Sequence, residues 1–295
     1  MKNFGENFSD KNAAELPVAL TIAGSDSGGG AGIQADLLTF AAHGVFGTTA
    51  ITALTAQNPA GVSGVRAVAA DFVREQAEQV ARFFKIRAAK TGMLADAEII
   101  AAVADFFDAH REIFLVVDPV MVATSGAKLL APDAVSALRE RLIPRAALVT
   151  PNLDEAEVLL GEKFAWRENS ETLPADVSAT AKKLARALGV PVLLKGGHGN
   201  GRELHDALAF PHGDAATICR TSARIQKVDT HGSGCTLSAA IAANLAKASA
   251  RGASSVFDAL PQCVADAEDY VRRAMSAPVG VGGSRFIAHL RGGCA

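Results

Sequence analysis

The sequence is poor in aromatic residues and in net charge, and each shortage excludes a class of protein. Only 5% of the 295 residues are aromatic, with a single Trp and a single Tyr. Alanine and glycine are abundant instead, which favours helices packed closely on a sheet over an all-β barrel. The formal net charge of −2 provides no basic surface of the kind that binds nucleic acid or a membrane.

Cysteines are few and stand singly, at Cys219, Cys235, Cys263 and Cys294. They form no CxxC pair, so their spacing predicts neither a zinc site nor a disulfide framework. Apolar runs are too short to span a bilayer, and residues 1–16 are polar, unlike a signal peptide. We therefore expect a cytoplasmic protein with a loose extension at 1–16 and one domain at 17–295.

Strand-like and helix-like segments alternate along the chain. Apolar or β-branched runs predict strands at 18–23, 48–55, 62–68, 88–91, 113–117, 147–150 and 192–195, and an antiparallel pair at 204–210 and 217–225. Helices are predicted at 31–42, 72–84, 95–109, 132–142, 153–160, 175–188, 236–248 and 254–275. This alternation predicts an α/β protein whose mostly parallel sheet is covered on both faces.

Polar residues follow several of the predicted strands. They are Gly24 to Asp26, Gln57 with Asn58, Asp118, Asn152, and Lys195 to His198. In open parallel sheets, ligands bind outside the carboxyl ends of the strands. We therefore expect these residues to surround one site.

The run from Asp229 to Thr236 predicts an anion hole. Gly232 and Gly234 lead into an alanine-rich helix, whose first amides and positive dipole end suit a phosphate. Cys235 falls in the first turn, where a thiolate would be stabilised. The alternative is an ordinary helix start that holds an inert, buried cysteine.

The glycine-rich stretch from Gly24 to Gly32 fits neither common phosphate-binding pattern. No Lys-Ser/Thr follows its last glycine, as a Walker A loop requires, and it is not a clean GxGxxG fingerprint. So many glycines in one turn let the backbone approach a ligand closely. The alternative is a mobile turn.

Amide, carboxylate and lysine side chains supply the remaining candidates. The Gln57 amide offers a donor beside an acceptor, which matches an aminopyrimidine edge, or it caps a turn. Asp118 and Glu155 could hold Mg²⁺ through water, although Asn152 and Glu155 also fit a helix capping box. Lys195, before two glycines, could reach a phosphate or simply lie in solvent.

Taken together, these motifs resemble the hydroxymethylpyrimidine kinase/phosphomethylpyrimidine kinase family of thiamine biosynthesis, within the ribokinase-like superfamily. The resemblance runs from about Ala19 to Ala246 and rests on ALTIAGSDSGGGAGIQAD, ITALTAQN, KTGML, VVDPVM, TPNLDEAEVLLG, LLKGGH and THGSGCTLSAA, in that order. It implies a three-layer α/β/α kinase that uses ATP and Mg²⁺. Its substrates would be 4-amino-5-hydroxymethyl-2-methylpyrimidine and the monophosphate of that compound. A homodimer is a further expectation from the family.

The resemblance also assigns roles to individual residues. Four fall where the family lines its pyrimidine pocket: Gly24, Asp36, Gln57 and Met93. Asp118 and Glu155 fall at magnesium and phosphate positions, and Lys195 falls near the nucleotide. Gly232, Gly234 and Cys235 form the anion hole, with Cys235 where many ribokinase relatives have an aspartate base.

Two rival functions and two departures accompany this resemblance, and one departure is that the extension at 1–16 lies outside the family pattern. A pyridoxal kinase shares the fold, although Gln57 and Met93 favour the pyrimidine. A non-catalytic pyrimidine-binding protein on the same scaffold would not need the anion hole or Cys235. The segment from Pro278 to Gly283 departs from the family's GxGxGP pattern because no proline follows its last glycine, so its nucleotide contact is left open.

Overall fold

A nine-stranded sheet lies at the centre of the described part of the chain. The computed structural model describes residues 15–121, 132–169, 171–212, 217–225, 230–253 and 255–290. The strands are β1 (Val18–Ser25), β2 (Phe46–Asn58), β3 (Gly61–Ala67), β4 (Ile86–Thr91), β5 (Phe114–Val117), β6 (Leu148–Val149), β7 (Val192–Leu194), β8 (Glu203–Ala209) and β9 (Ile218–Ala223). Their order is β3-β2-β1-β4-β5-β6-β7-β8-β9. Pairing is parallel from β2 to β7 and antiparallel at both edges, including the predicted β8–β9 pair.

Helices cover both faces of the sheet. They are α1 (Gly32–Ala42), α2 (Ala70–Phe83), α3 (Ala97–Ala109), α4 (Pro132–Ala137), α5 (Leu153–Leu160), α6 (Pro174–Leu188), α7 (Ser233–Ala250) and α8 (Val256–Ser276). Buried residues of α1, α7 and α8 form one apolar layer, and those of α2 to α6 form the other. The predicted α/β/α layering is therefore confirmed.

The central strands are apolar throughout because both of their faces are buried. On β1, Leu20 and Ile22 pack in one apolar layer, whereas Ala19 packs in the layer on the opposite face. On β4, Ala88 and Ala89 divide between the two layers in the same way. This alternation has the two-residue period of a strand, and it explains why the sequence shows unbroken apolar runs.

Helix starts differ from the predicted ones for local reasons. Helix α3 begins at Ala97 rather than Ala95, because Asp96 caps it by accepting a hydrogen bond from the Ile99 N–H at 2.8 Å. Helix α7 begins at Ser233, three residues before its predicted start. The predicted helix at 132–142 changes after Ala137 to a wider π-helical turn, Leu138–Leu142. Ser254, the predicted start of the last helix, lies outside the described residues, and α8 begins at Val256.

A C-terminal hairpin was not predicted. It pairs β10 (Val279–Val281) with β11 (Ser284–Phe286) in antiparallel register. Its two turn residues, Gly282 and Gly283, have φ values of 56° and 84°. A Gly-Gly pair between two short runs is a recognised hairpin signal, so the sequence did contain the information.

Some of the sequence expectations concern residues that the structure does not describe. Residues 1–14 of the expected extension, Asp229 and Cys294 lie outside them. In the part of the chain that is described, none of the helices combines the length and apolar character needed to cross a membrane.

Candidate active site

Helix α7 begins where the sequence predicts the anion hole. Its N-cap residue, Gly232, has a φ of 80°, in the left-handed region that favours glycine. A Cβ at this position would overlap the carbonyl oxygen of Gly30, in the loop after β1. Glycine at 232 therefore lets the two loops meet. The first-turn amides of Gly234 and Cys235 stand at the positive end of the α7 dipole.

Cys235 is partly exposed and lies between the N-termini of two helices. The backbone N–H of Gly32, the first residue of α1, lies near the Cys235 thiol and acts to lower its pKa. Burial nevertheless raises the pKa of the Cys235 thiol, and the positive charge of Lys90 opposes this only in part. Desolvation of the sulfur therefore opposes the stabilisation expected from the helix terminus, and the thiolate form of Cys235 stays a prediction.

Lys195 and Asp118 form an ion pair beside this helix terminus. They follow β7 and β5, and Lys195 Nζ lies 3.0 Å from Asp118 Oδ1. The hydroxyls of Thr150 and Ser238 also donate to the Asp118 carboxylate, at 3.2 and 3.3 Å. A Cβ on Gly234 would lie 3.4 Å from Lys195 Nζ. The strand ends thus bring the predicted nucleotide residues against the predicted anion hole.

Glu155 closes the capping box at the start of α5. Its carboxylate accepts the Asn152 N–H at 2.8 Å, and its own N–H donates to Asn152 Oδ1 at 2.9 Å. Burial raises the pKa of Glu155 to about 7, although the charge of Lys195 acts in the opposite direction. The capping interpretation is confirmed, and the role of Glu155 toward a metal stays a prediction.

The glycine-rich loop encloses an anion that belongs to the chain itself. The Asp26 carboxylate accepts the backbone N–H groups of Gly28, Gly30 and Ala31 at 2.8, 3.1 and 2.9 Å. His231 Nε2 lies 3.2 Å from the same carboxylate. The loop is therefore an ordered turn around Asp26, and the Asp26 carboxylate already occupies amides that a phosphate would otherwise use.

Three of the predicted pyrimidine residues lie near this loop. A Cβ on Gly24 would lie 2.6 Å from Met93 Cε, so glycine here makes room for the methionine. The backbone of Gln57 forms two hydrogen bonds with the Ser27 side chain. The Gln57 backbone N–H donates to Ser27 Oγ at 2.8 Å, and the Ser27 hydroxyl donates to the Gln57 backbone carbonyl at 2.7 Å. The Gln57 side-chain nitrogen also lies 3.4 Å from His231 Nε2.

Asp36, the fourth predicted pyrimidine residue, is placed differently. It has no exposed surface, and both of its oxygens lie 2.9 Å from Lys90 Nζ. The Thr21 hydroxyl also donates to its Oδ2, at 2.6 Å. The role of Asp36 toward the pyrimidine therefore stays a prediction. In this structure Asp36 belongs to an enclosed ion pair beneath the site, because a buried lysine on β4 requires a counter-charge.

Three residues at the site were missed by the sequence reasoning. His231 stood inside the anion-hole motif, and Lys90 stood in the KTGML motif, but neither was given a role. Phe286 comes from the unpredicted hairpin, and its Cε1 would lie 3.3 Å from a Cβ on Gly30. Of these, His231 offered a signal, since a histidine between a strand end and an anion hole is a candidate contact in any kinase site.

The arrangement fits a metal only in part. Among the described residues, no group of three or more His, Cys, Asp and Glu side chains is arranged to hold a metal ion. Asp118 and Glu155 nevertheless follow the neighbouring strands β5 and β6, and their charges interact. Mg²⁺ typically uses one or two carboxylates together with water and phosphate oxygens, and this donor set suits that mode of binding.

Comparison with known proteins agrees with this geometry. Residues 26–289 match the family described as phosphomethylpyrimidine kinase. A hydroxymethylpyrimidine/phosphomethylpyrimidine kinase of Rhizobium meliloti (strain 1021) is 49% identical over 231 residues, which are 78% of this chain and 83% of that protein. An ADP complex of Bacillus subtilis pyridoxal kinase is similar in structure, with a TM-score of 0.80 and 34% identity, covering 94% of this chain and 98% of that one. A phosphomethylpyrimidine kinase from Clostridium difficile 630 gives a TM-score of 0.69 and 37% identity, with 88% and 99% covered.

The family match and the curated relative support a hydroxymethylpyrimidine/phosphomethylpyrimidine kinase, and the two solved structures confirm the ribokinase-like fold. The two solved structures share the fold, yet they are named for different substrates. Similarity of fold therefore does not by itself choose between a pyrimidine and pyridoxal.

Proposed function

Because the chain belongs to the phosphomethylpyrimidine kinase family, we propose that it uses ATP to phosphorylate 4-amino-5-hydroxymethyl-2-methylpyrimidine and then the monophosphate, in thiamine biosynthesis. The observation that carries the proposal is the start of α7. There a thiol, a glycine turn and a lysine–aspartate pair at the ends of β5 and β7 meet. A thiol at a helix start could be inert, but a charged pair beside it suits phosphoryl transfer.

The transfer follows from the positions of these groups. The substrate hydroxyl attacks the γ-phosphorus, a new P–O bond forms, and the bond to the leaving ADP oxygen breaks. Cys235, as the thiolate, takes the proton of that hydroxyl. The amides of Gly232 to Cys235 hold the transferred group, and Lys195 neutralises charge on the β- and γ-phosphates.

Lys195 is partly exposed, and its ion-pair partner Asp118 can give it up to a phosphate. Its side chain is 15% exposed, whereas Asp118 is almost buried and keeps two hydroxyl donors of its own. Lys195 can therefore turn toward a phosphate without leaving the Asp118 charge unsolvated.

Asp118 and Glu155 are proposed to hold Mg²⁺ through water, together with phosphate oxygens. When bound, the ion would neutralise negative charge on the phosphates. The two carboxylates would hold the ion, and the capping box of α5 keeps Glu155 in one orientation.

The pyrimidine is proposed to lie against Gly24 and Met93, with its amino edge toward Gln57. An amide pairs with a ring nitrogen and an exocyclic amine at once, because it carries a donor and an acceptor side by side. Gly24 carries no Cβ, which keeps this wall open beside the methionine. A homodimer and a cytoplasmic location remain part of the proposal, and the family resemblance is their support.

Pyridoxal is the second candidate substrate. It is favoured by the likeness to Bacillus subtilis pyridoxal kinase, whose TM-score is the higher of the two quoted. Against it stands the proposed pairing with Gln57, since pyridoxal has a phenolic oxygen where the pyrimidine has its amine.

The deciding experiment measures ADP release from ATP and Mg²⁺ with each of three acceptors in parallel. These are hydroxymethylpyrimidine, its monophosphate and pyridoxal. We expect the two pyrimidines to give the higher kcat/KM. A preference for pyridoxal would move the vitamin kinase ahead, and the absence of ADP release with all three acceptors would favour a non-catalytic binding protein.

A further inference from the structure

Lys90 and Asp36 form an ion pair that is closed to solvent. Both side chains are 0% exposed, and Lys90 Nζ lies 2.9 Å from each carboxylate oxygen. The Thr21 hydroxyl donates a third hydrogen bond to the carboxylate. Buried pairs of this kind gain little net stability over apolar side chains of the same size, because both charges lose their hydration. The pair therefore calls for a reason other than stability.

The pair lies beneath the reactive end of α7. Asp36 is one helical turn after Gly32 on α1, and the Gly32 N–H lies near the Cys235 thiol. Lys90 is on β4, and α7 packs against both β4 and α1. A Cβ on Gly92 would lie 3.0 Å from Lys90 Nζ, which places the ammonium at the carboxyl end of the strand.

The thiol has charged neighbours on four elements. They are Lys90 on β4, Asp36 on α1, Asp118 after β5 and Lys195 after β7. Burial raises the pKa of Cys235, Lys90 lowers it, and the two carboxylates raise it again. Lys90 is the main influence that opposes burial, so removal of its charge should make the thiolate less stable.

We propose that Lys90, held in place by Asp36, is a positioning residue whose fixed positive charge stabilises the thiolate of Cys235. The proton of the substrate hydroxyl goes to Sγ, while Lys90 and Asp36 keep their own protonation states. Asp36 neutralises Lys90 when the thiol is protonated, and the thiolate shares the same ammonium when it forms. The inference deepens the proposed function and rests on it for the catalytic use of Cys235.

The proposal predicts that removal of the Lys90 charge and removal of the Asp36 charge change the reactivity of Cys235 in opposite directions. We would measure the rate at which iodoacetamide alkylates Cys235 between pH 6 and 10, roughly the range around a perturbed thiol pKa. The full chain would be used without substrates, and peptide mass spectrometry would separate Cys235 from the other cysteines. Lys90→Met should slow alkylation near pH 8 by about tenfold, and Asp36→Asn should accelerate it, since one nearby charge typically changes the thiolate fraction by this order.

Three further variants keep the test interpretable. Thr21→Val removes a hydrogen bond from the same buried group without removing a charge, so the alkylation profile should stay close to that of the wild type. The double variant Lys90→Met with Asp36→Asn leaves no unpaired charge, so it provides a folded comparison if a single variant unfolds. It should react slowly, as Lys90→Met does. Lys90→Arg retains the charge and should restore most of the rate.

The outcomes separate this inference from the proposed function. If Lys90→Met and Asp36→Asn shift the alkylation rate in the same direction, or leave it unchanged, the pair is structural and the inference is overturned. The pH profile of kcat provides the second measurement. If alkylation responds in opposite directions but kcat does not follow it, the stabilising role of Lys90 stands and Cys235 is not the base.

Discussion

Two lysine–aspartate pairs flank the start of α7, and they differ in what can reach them. Lys90 and Asp36 are closed to solvent and have their hydrogen-bonding groups paired within the core. Lys195 and Asp118 have the same chemistry, yet the lysine keeps 15% of its side chain exposed. An enclosed charge can only act through space, whereas a partly open one can exchange its partner for a ligand. Two similar ion pairs can therefore have different uses. The enclosed pair provides a fixed electrostatic field, and the partly exposed pair provides a group that can bind a ligand.

The largest expected difference between the pairs is in stability. Lys90→Met should lower the free energy of unfolding by about 3–5 kcal/mol, because it leaves Asp36 buried without its counter-charge. Lys195→Met should cost about 1 kcal/mol, since Asp118 keeps the hydroxyls of Thr150 and Ser238. Urea denaturation at pH 7 measures both. Equal losses would show that the two pairs do not differ in the way their burial indicates.

Removal of the Cys235 thiol should have the next largest effect. Cys235→Ala should lower turnover by about 10²-fold or more, the usual contribution of one general base, while pyrimidine binding persists. Because burial raises the pKa of the thiol, wild-type turnover should increase with pH above neutrality as the thiolate forms. Cys235→Asp should retain activity at lower pH, since a carboxyl ionises more readily.

Cys219→Ala is the matched control for this prediction. Cys219 is also partly exposed, but it lies on β9, away from the start of α7. Its substitution should leave turnover nearly unchanged. Near-wild-type turnover in folded Cys235→Ala would remove the base assignment.

Much of this comparison could not be predicted from the sequence, although most of the elements could. Apolar runs and helix periodicity located β1, α5 and the β8–β9 pair, because those signals are local. The Asn152–Glu155 capping box was equally local, since its partners are three residues apart. Strand ends also predicted that Asp118 and Lys195 lie together, through a general property of parallel sheets.

The enclosed pair depended on information that a local pattern does not carry. Lys90 and Asp36 are 54 residues apart, and they meet only because β4 pairs with β1 beneath α1. The loop around Asp26 shows a related limit. Its glycines predicted a close approach of the backbone to a ligand, but they did not predict that the Asp26 carboxylate within the same turn accepts the amides of Gly28, Gly30 and Ala31. Local residue types predicted the chemistry of both regions but not which partner each charge would find.

The partly exposed pair, Lys195 and Asp118, can be tested through the KM for ATP. Lys195→Ala should raise the KM for ATP by about tenfold to a hundredfold, the range for a lost charge-assisted hydrogen bond, and should change the pyrimidine KM little. Lys183→Ala is the control, because Lys183 pairs with Glu162 on the exposed surface of α6. A selective loss of pyrimidine affinity in Lys195→Ala would mean that the two sides of the site are assigned the wrong way round.

An effect of similar size is expected on the pyrimidine side, where it should mirror that of Lys195. Gln57→Glu keeps the shape of the side chain but, once ionised, only accepts hydrogen bonds, so the ring nitrogen would lose its donor. This mismatch costs roughly 1–3 kcal/mol, or about tenfold to a hundredfold in kcat/KM for hydroxymethylpyrimidine. The KM for ATP should stay the same, and turnover of pyridoxal should fall less, because its phenolic oxygen replaces the amine. Steady-state kinetics with both acceptors measure the difference. Equal losses with the two acceptors would show that Gln57 does not recognise the pyrimidine edge and would strengthen the case for a pyridoxal kinase.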